Sequence, residues 1–323
     1  MPDSAVLVAN GKQALSLVAQ ELRDRGVRTV LAPAYHCLTM LEPFQLEGLH
    51  VRLVATDDVG LMDAGALAAA LASERTAAIL HCEVYGARAD ASLTEVLVEA
   101  RATGARVIVD ATHSQFSVDH DPADHVVASL RKLLPVAEGA YVTGLARVPT
   151  LSRGAVDDAA LALGLDARAC RLAMLADVGE RDVALAAIDA AEDAMLEARA
   201  PSRIDETTVQ VLGALDVVAA LEARRANARR LMERLHAAGI PVVNPRTAEC
   251  GVTVVVDDAD TVERALLAVG VVCPISWPRP SGLAAAVPWP TRWVTLPVDP
   301  DLPSALLASM VEVVARVAGG RAG

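Results

Sequence analysis

From Lys12 to Asp110, short apolar runs rich in Val, Leu and Ile alternate with helical patterns, and no other feature of the chain narrows its fold as much. Strands are predicted at Thr29 to Pro33, Val51 to Ala55, Ala77 to Cys82 and Arg106 to Asp110, and helices near Lys12 to Arg25, Ala64 to Ser73 and Ser92 to Thr103. A strand, a helix and a second strand close as a right-handed crossover, which makes neighbouring strands parallel. The pattern therefore predicts an α/β fold on a mainly parallel sheet. Two further strands, His125 to Ser129 and Ala140 to Gly144, follow Asp110 without a full helix between them, which a wholly regular repeat does not do.

After Pro149 the character changes. Helical patterns run through Ala155 to Ala200 and again from Glu206 to Gly239. A smaller module follows, with strands near Pro241 to Val243, Val252 to Val256, Val271 to Ile275 and Trp293 to Leu296, closed by a helix from Ser304 to Val317. We read a large sheet domain with a helical extension over residues 1–205, then a connecting helix and a small C-terminal domain over 206–323. Alanine supplies 63 of the 323 residues and aromatic residues only 2%, so much of the 53% hydrophobic fraction favours long helices. The net charge of −12 argues against nucleic-acid binding as the main activity. Five cysteines, odd in number and without a CxxC pair, indicate neither a disulfide scaffold nor a zinc site, and point to a reducing cytoplasm. No run of about 18 apolar residues suggests a membrane span.

Lysine occurs only at Lys12 and Lys132, against 27 arginines. Under such a bias a persisting lysine is a candidate for chemistry that arginine cannot perform, because a guanidinium stays protonated while a desolvated amine becomes a nucleophile. Lys132 lies in HVVASLRKLLP, three residues after Ser129 and just past a strand end. Asp110 ends the β-branched run of RVIVDATHSQ, at the strand edge where open α/β sheets hold ligands, although an aspartate there also serves as a helix cap. In ANGKQALSLVAQEL, Asn10 and Gly11 precede an amphipathic helix, so free N–H groups of Lys12 and Gln13 would face a phosphate; an N-cap without a ligand is the alternative. Neither GxxxxGK[ST] nor GxGxxG is present.

A lysine for an aldehyde, a carboxylate for a pyridinium nitrogen and a dipolar nest for a phosphate are together what pyridoxal phosphate (PLP) requires. Over roughly the first 145 residues the chain resembles the fold-type I PLP-dependent aminotransferases, nearest the DegT/StrS-type nucleotide-sugar aminotransferases. NGKQAL stands for the phosphate loop, LAPAYHCLTM for the segment covering the cofactor ring, and HCEVYGARAD for the stretch with Tyr85, Gly86 and Asp90; VDATHS carries the aspartate and SLRKLLPVAEGAYV the lysine. The resemblance implies a seven-stranded sheet in the large domain, a homodimer, and small-molecule partners: an amino donor, commonly glutamate, and a keto acceptor. It implies a Schiff base on Lys132 and a ring-nitrogen contact from Asp110. It also implies phosphate contacts from Gly11, Lys12, Gln13 and Ser129, and His113 near the phenolic oxygen.

Several positions depart from the family pattern. Lys12 replaces a small hydroxyl residue, Cys37 falls where many relatives stack an aromatic ring, and only Gly139 remains of a usual glycine pair. Tyr35 or His36 is then expected to cover the ring. Glu83, where relatives commonly carry histidine, and Tyr85 are substrate-side candidates, or a pair packed in an interface. Trp277, Trp289 and Trp293 lie within one proline-rich segment that either lines a pocket mouth, with Arg279 and Arg292 reading an anion, or packs the small domain. Amino transfer to a keto sugar or small keto metabolite is the expected reaction. Lyase, decarboxylase or carbon–carbon bond chemistry would use the same residues, and a noncatalytic descendant of the fold is the remaining class.

Overall fold

The computed structural model of the chain describes residues 5–74, 77–116, 119–244, 249–273, 277–281, 283 and 287–319. At its centre is a seven-stranded sheet in the order β1-β7-β6-β5-β4-β2-β3. These strands are β1 (Val6–Val8), β2 (Thr29–Pro33), β3 (His50–Val54), β4 (Ala77–Cys82), β5 (Arg106–Asp110), β6 (His125–Ser129) and β7 (Ala140–Val142). Strands β2 to β6 are joined by parallel ladders, while β7 runs antiparallel to both β6 and β1. The reversal at β7 has a simple cause. A parallel return needs a crossover of about a dozen residues or more, and the segment after Ser129 holds only one tight helical turn, Leu130–Lys132, before β7 begins.

Three helices follow the predicted alternation to within a residue at each end: α1 (Gly11–Asp24), α3 (Ala64–Ser73) and α4 (Ala91–Ala102). Each starts where a side-chain oxygen takes a first-turn N–H, from Asn10 to Gln13, from Asp63 to Ala66 and from Asp90 to Leu93. Helix α2 (Leu38–Leu46) is an addition to the expectation, since Pro43 in its interior reads as a breaker. Burial of Met40, Leu41 and Phe44 in the main core, with Pro43 buried beside them, overrides that local preference. Strand β1 is a further addition, and it is only three residues long.

The helical pattern expected through Ala155 to Ala200 is two helices, α5 (Ala155–Ala176) and α6 (Arg181–Glu197), packed as a hairpin. A single helix over that stretch would extend about 70 Å, far beyond the sheet it packs beside. Asp177 ends the first helix, and its side chain accepts from the Gly179 N–H to make the turn. Next come α7 (Glu206–Ala214) and α8 (Val217–Ala237), separated at Asp216, whose carboxylate caps Ala219.

A second core gathers around an antiparallel pair, β8 (Gly251–Val255) and β9 (Trp293–Pro297), with α9 (Ala259–Leu267) and α10 (Ser304–Gly319). The expected strand at Pro241 to Val243 is reduced to one bridge, Val242 to Val254. Of the strand expected at Val271 to Ile275, residues 271–273 lie in no strand and Ile275 lies outside the described residues. The three tryptophans pack on the first core rather than within the second, so the later part of the chain reaches back over the large sheet. Among the described residues no helix is long and apolar enough to cross a membrane.

Candidate active site

Strand direction collects the chemically capable residues at one edge. β4, β5 and β6 are parallel, with Cys82 registered against Asp110, so Cys82, Asp110 and Ser129 all stand at C-terminal strand ends. β1 runs the same way as β6 because β7 is antiparallel to both, and α1 therefore starts at that edge too. A cavity of about 150 Å³ opens there, lined among others by Gly11, Lys12, Asp110, His113, Ser129 and Lys132. This is the carboxyl edge at which open α/β sheets bind ligands.

Gly11 and Ser129 are in close approach. A Cβ built on Gly11 would stand 3.2 Å from the Ser129 Cβ, so a side chain there would fill the space between α1 and β6. One sequence expectation is corrected here: the Gln13 N–H is not free, because Asn10 Oδ1 accepts it at 2.9 Å. The Gln13 side chain is also turned away, donating to Asp157 at 2.9 Å and to the Ala198 carbonyl at 3.2 Å. Gly11 and Lys12 are the positions whose first-turn N–H groups have no acceptor within the helix. The Lys12 ammonium, buried, bonds the Leu196 carbonyl and lies 3.3 Å from Glu42.

Asp110 is 6% exposed and its Oδ1 accepts the Thr112 N–H at 2.9 Å. Burial raises its pKa above the ordinary carboxylate value; the Thr112 bonds and the charge of Lys132 oppose the rise, and Glu83 adds to it. Burial and the neighbouring Arg131 cation lower the pKa of Lys132, against the opposing pull of Glu192. His113 accepts the Tyr85 N–H at its Nδ1 over 3.0 Å, which leaves the proton of the neutral ring on Nε2. The imidazole is nearly parallel to the rings of Tyr85 and Trp277, with centroids 5.6 and 5.9 Å away. Burial and Lys132 push its pKa down to about 3, so it is neutral at physiological pH.

Tyr35, His36, Glu83, Tyr85 and Arg292 do not line this cavity. Tyr35 sits among Trp277, Trp289 and Trp293, and its hydroxyl meets that of Tyr85 at 2.7 Å. His36 turns its Nδ1 onto the Ala34 carbonyl at 2.7 Å. Glu83 is buried beside the cavity, bonded to Ser114 and paired with Arg88 at 3.0 Å. Tyr85 is held at φ 51°, so that its N–H serves His113 while its carbonyl takes Asn244 Nδ2. Arg292 bonds the Val256 carbonyl and pairs with Asp257, beside a different cavity lined by Trp289 and Asp57.

Sequence reasoning also overlooked residues that the fold brings in. Arg131, Glu192, Thr112 and Met195 all line the cavity, as does Trp277, which the sequence had offered for a pocket mouth. Arg131 forks onto Glu192 of α6 with bonds of 2.8 and 3.1 Å. Adjacency to Lys132 was the one available signal for Arg131; Glu192, sixty residues further on in an acidic helix, carried none.

The sequence matches no family profile and no curated protein. Solved structures do share its fold. A DegT DnrJ EryC1 StrS aminotransferase from Brucella abortus superposes with a TM-score of 0.64 at 19% identity, covering 98% of this chain and 86% of that one. The putative sugar aminotransferase Spr1654 from Streptococcus pneumoniae, in its PMP form, gives 0.70 at 15% identity over 98% and 88%. DesV of S. venezuelae, in complex with a ketimine intermediate, gives 0.68 at 20% identity over 97% and 84%. The expected fold-type I architecture is therefore the one observed.

Proposed function

We propose that this chain is a PLP-dependent aminotransferase that moves an amino group from a donor such as glutamate to a keto sugar or a small keto metabolite. The observation that carries the reading is the convergence of Asp110 and Lys132 on one cavity that the closely approaching Gly11 and Ser129 also line. Similarity of fold to sugar aminotransferases adds support.

The residues fit the cofactor. A phosphate dianion suits the start of α1, where the dipole and the Gly11 and Lys12 N–H groups favour an anion and the absence of a Cβ leaves room beside Ser129. A pyridine N–H suits Asp110, since a carboxylate disfavoured by burial gains most from a cationic hydrogen-bond donor. Bound PLP supplies an electrophilic aldehyde and an electron-withdrawing ring. Lys132 Nζ, its pKa lowered by burial and by Arg131, is disposed to lose its proton, and the free amine serves both as nucleophile and as the base that takes the donor's Cα proton. Asp110 keeps the proton on the ring nitrogen. Neutral His113, with Nε2–H as its donor, orients the ring's phenolic oxygen.

The reading includes a homodimer in the cytoplasm. Exposed apolar side chains on α5 and α6, among them Val156, Leu163, Leu165, Leu172 and Val183, support an interface with a second copy, and five free cysteines suit a reducing compartment. Light scattering at micromolar concentration tests the dimer. Incubation with PLP, borohydride reduction and mass mapping test the chemistry: the expected adduct is on Lys132, and an adduct on Lys12 overturns the assignment. A donor and acceptor screen, read as conversion to the pyridoxamine form, then identifies the substrates.

A further inference from the structure

We propose that Arg131 binds the carboxylate of the amino donor and that Glu192 occupies this place until the donor arrives; the inference rests on the aminotransferase reading above. Among the described residues, five charged side chains line the cavity: Lys12, Arg131, Lys132, Asp110 and Glu192. Lys12 is already engaged by the Leu196 carbonyl and by Glu42, and Lys132 and Asp110 belong to the cofactor. Arg131 is the remaining cation. It lines the same cavity as Lys132, so a group bound on it shares that cavity with the reacting amine.

The ligand class is visible in the structure, because a carboxylate is already seated on the guanidinium. Arg131 Nη1 meets Glu192 Oε1 at 2.8 Å, and Nη2 meets Oε2 at 3.1 Å. That is the two-bond fork by which arginine selects planar oxyanions. Arg131 is 20% exposed but Glu192 is 49% exposed, whereas Asp110 is 6% exposed, so Glu192 is the cavity's one anion with water beside it and room to leave. Ion pairs at such exposure contribute little to stability, and replacing one carboxylate by another leaves the cavity's charge unchanged. Glu192 also comes from α6, a different element from those that carry Asp110 and Lys132, and an arriving carboxylate takes over its pull on the Lys132 ammonium.

Titration of the PLP-loaded protein with glutarate, a dicarboxylate without an amine, tests this by calorimetry and by the cofactor's absorbance. Arg131→Gln is expected to raise the glutarate Kd about tenfold or more, the range for a charge-assisted hydrogen-bonded pair. Glu192→Gln is expected to lower it, by removing the competing carboxylate. Opposite signs are the signature, since a pair that merely braces α6 is broken equally from either side. Should Arg131→Gln not fold, Arg131→Lys keeps the charge, loses the fork and is expected to bind more weakly than the parent. Equal shifts in both variants, or no shift in either, overturn the inference. So does an Arg131→Gln variant whose affinity falls for PLP but not for phosphate-free pyridoxal, which would assign the arginine to the phosphate. If the parent gives no borohydride-fixed adduct on Lys132, the aminotransferase reading fails and this inference with it; an adduct on Lys132 with unmoved glutarate binding defeats this inference alone.

Discussion

Two groups of buried charge lie on either side of the Lys132 turn, and they are built in opposite ways. On the far side, Arg224 spends its guanidinium on the Leu133 and Glu249 carbonyls, both at 3.0 Å, and on Asp299, which Arg171 also reaches at 2.5 Å. Burial pushes the Asp299 pKa up, yet Arg224 and Arg171 outweigh it and leave the carboxyl below its ordinary value. In the cavity, burial wins. Asp110 ends above its ordinary value and Lys132 below, each short of the partners that would favour its charged form. A saturated group of charges holds parts of the chain together, whereas an undersatisfied one is a place for a ligand.

The largest effect expected from that contrast is at Lys132. Lys132→Ala should lose the reducible adduct and lower transamination by about 10²- to 10⁴-fold, the usual worth of a positioned base, while the unfolding midpoint stays near the parent's. Residual activity above a tenth of the parent rate would place the base elsewhere. Next is the far side, where Arg224→Met leaves Asp299 with Arg171 alone and the Leu133 and Glu249 carbonyls without their donor, and should cost about 1 to 3 kcal/mol by urea denaturation. PLP should still attach to Lys132 in that variant. If stability is unchanged, the Arg224 group is not the brace that its bonding suggests.

Asparagine at each carboxylate sharpens the comparison through its sign. The folded pKa of Asp110 is raised, so the ionised group destabilises the cofactor-free protein at neutral pH; its favourable contribution exists only at low pH and is lost as pH rises through the folded value. Asp110→Asn should therefore raise the neutral-pH midpoint while abolishing amino transfer. Asp299 has a lowered folded pKa, so its contribution is present above the ordinary carboxylate pKa and is lost as pH falls through the folded value. Asp299→Asn should lower the neutral midpoint, with the gap closing in acid. Urea midpoints across about pH 3 to 7 check both, and equal signs would remove the distinction between the two groups.

Residues whose roles depend on local rules were readable in the sequence. Asp110 follows from a β-branched run that ends in a carboxylate, Lys132 from the scarcity of lysine, and the start of α1 from the Asn10–Gly11 pair. Residues that arrive by packing were not. Glu192 and Met195 reach the cavity only because the Ala155–Ala200 stretch folds back on itself at Asp177. Tyr35 looked suited to cover a ring, but the three tryptophans draw it into their own cluster, with centroids 4.8 to 5.5 Å away. Trp277 lines the cavity instead; the sequence offered all three tryptophans for a pocket mouth, and packing selects this one. The Gln13 N–H was misjudged for a smaller reason: the same Asn10 that marks the helix start also consumes that donor.

The smallest effect separates the two ways in which the start of α1 can hold a phosphate. A backbone nest needs close approach, and a Cβ at Gly11 would stand 3.2 Å from the Ser129 Cβ and 3.9 Å from its Oγ. Gly11→Ala asks Ser129 to give by a few tenths of an ångström; Gly11→Val adds two methyl groups in the space a phosphate would use. Lys12→Ala removes a cation whose Nζ already serves the Leu196 carbonyl and Glu42, leaving the helix N–H groups and dipole in place. The dipole contribution is itself about 0.3 to 2 kcal/mol, so the differences among these variants are modest. The expected order of PLP Kd by equilibrium dialysis is Gly11→Val weakest, then Gly11→Ala, with Lys12→Ala nearest the parent. A Lys12→Ala variant weaker than Gly11→Val would make the ammonium the principal phosphate ligand and the nest secondary. Affinities unchanged in all three would place the phosphate away from α1.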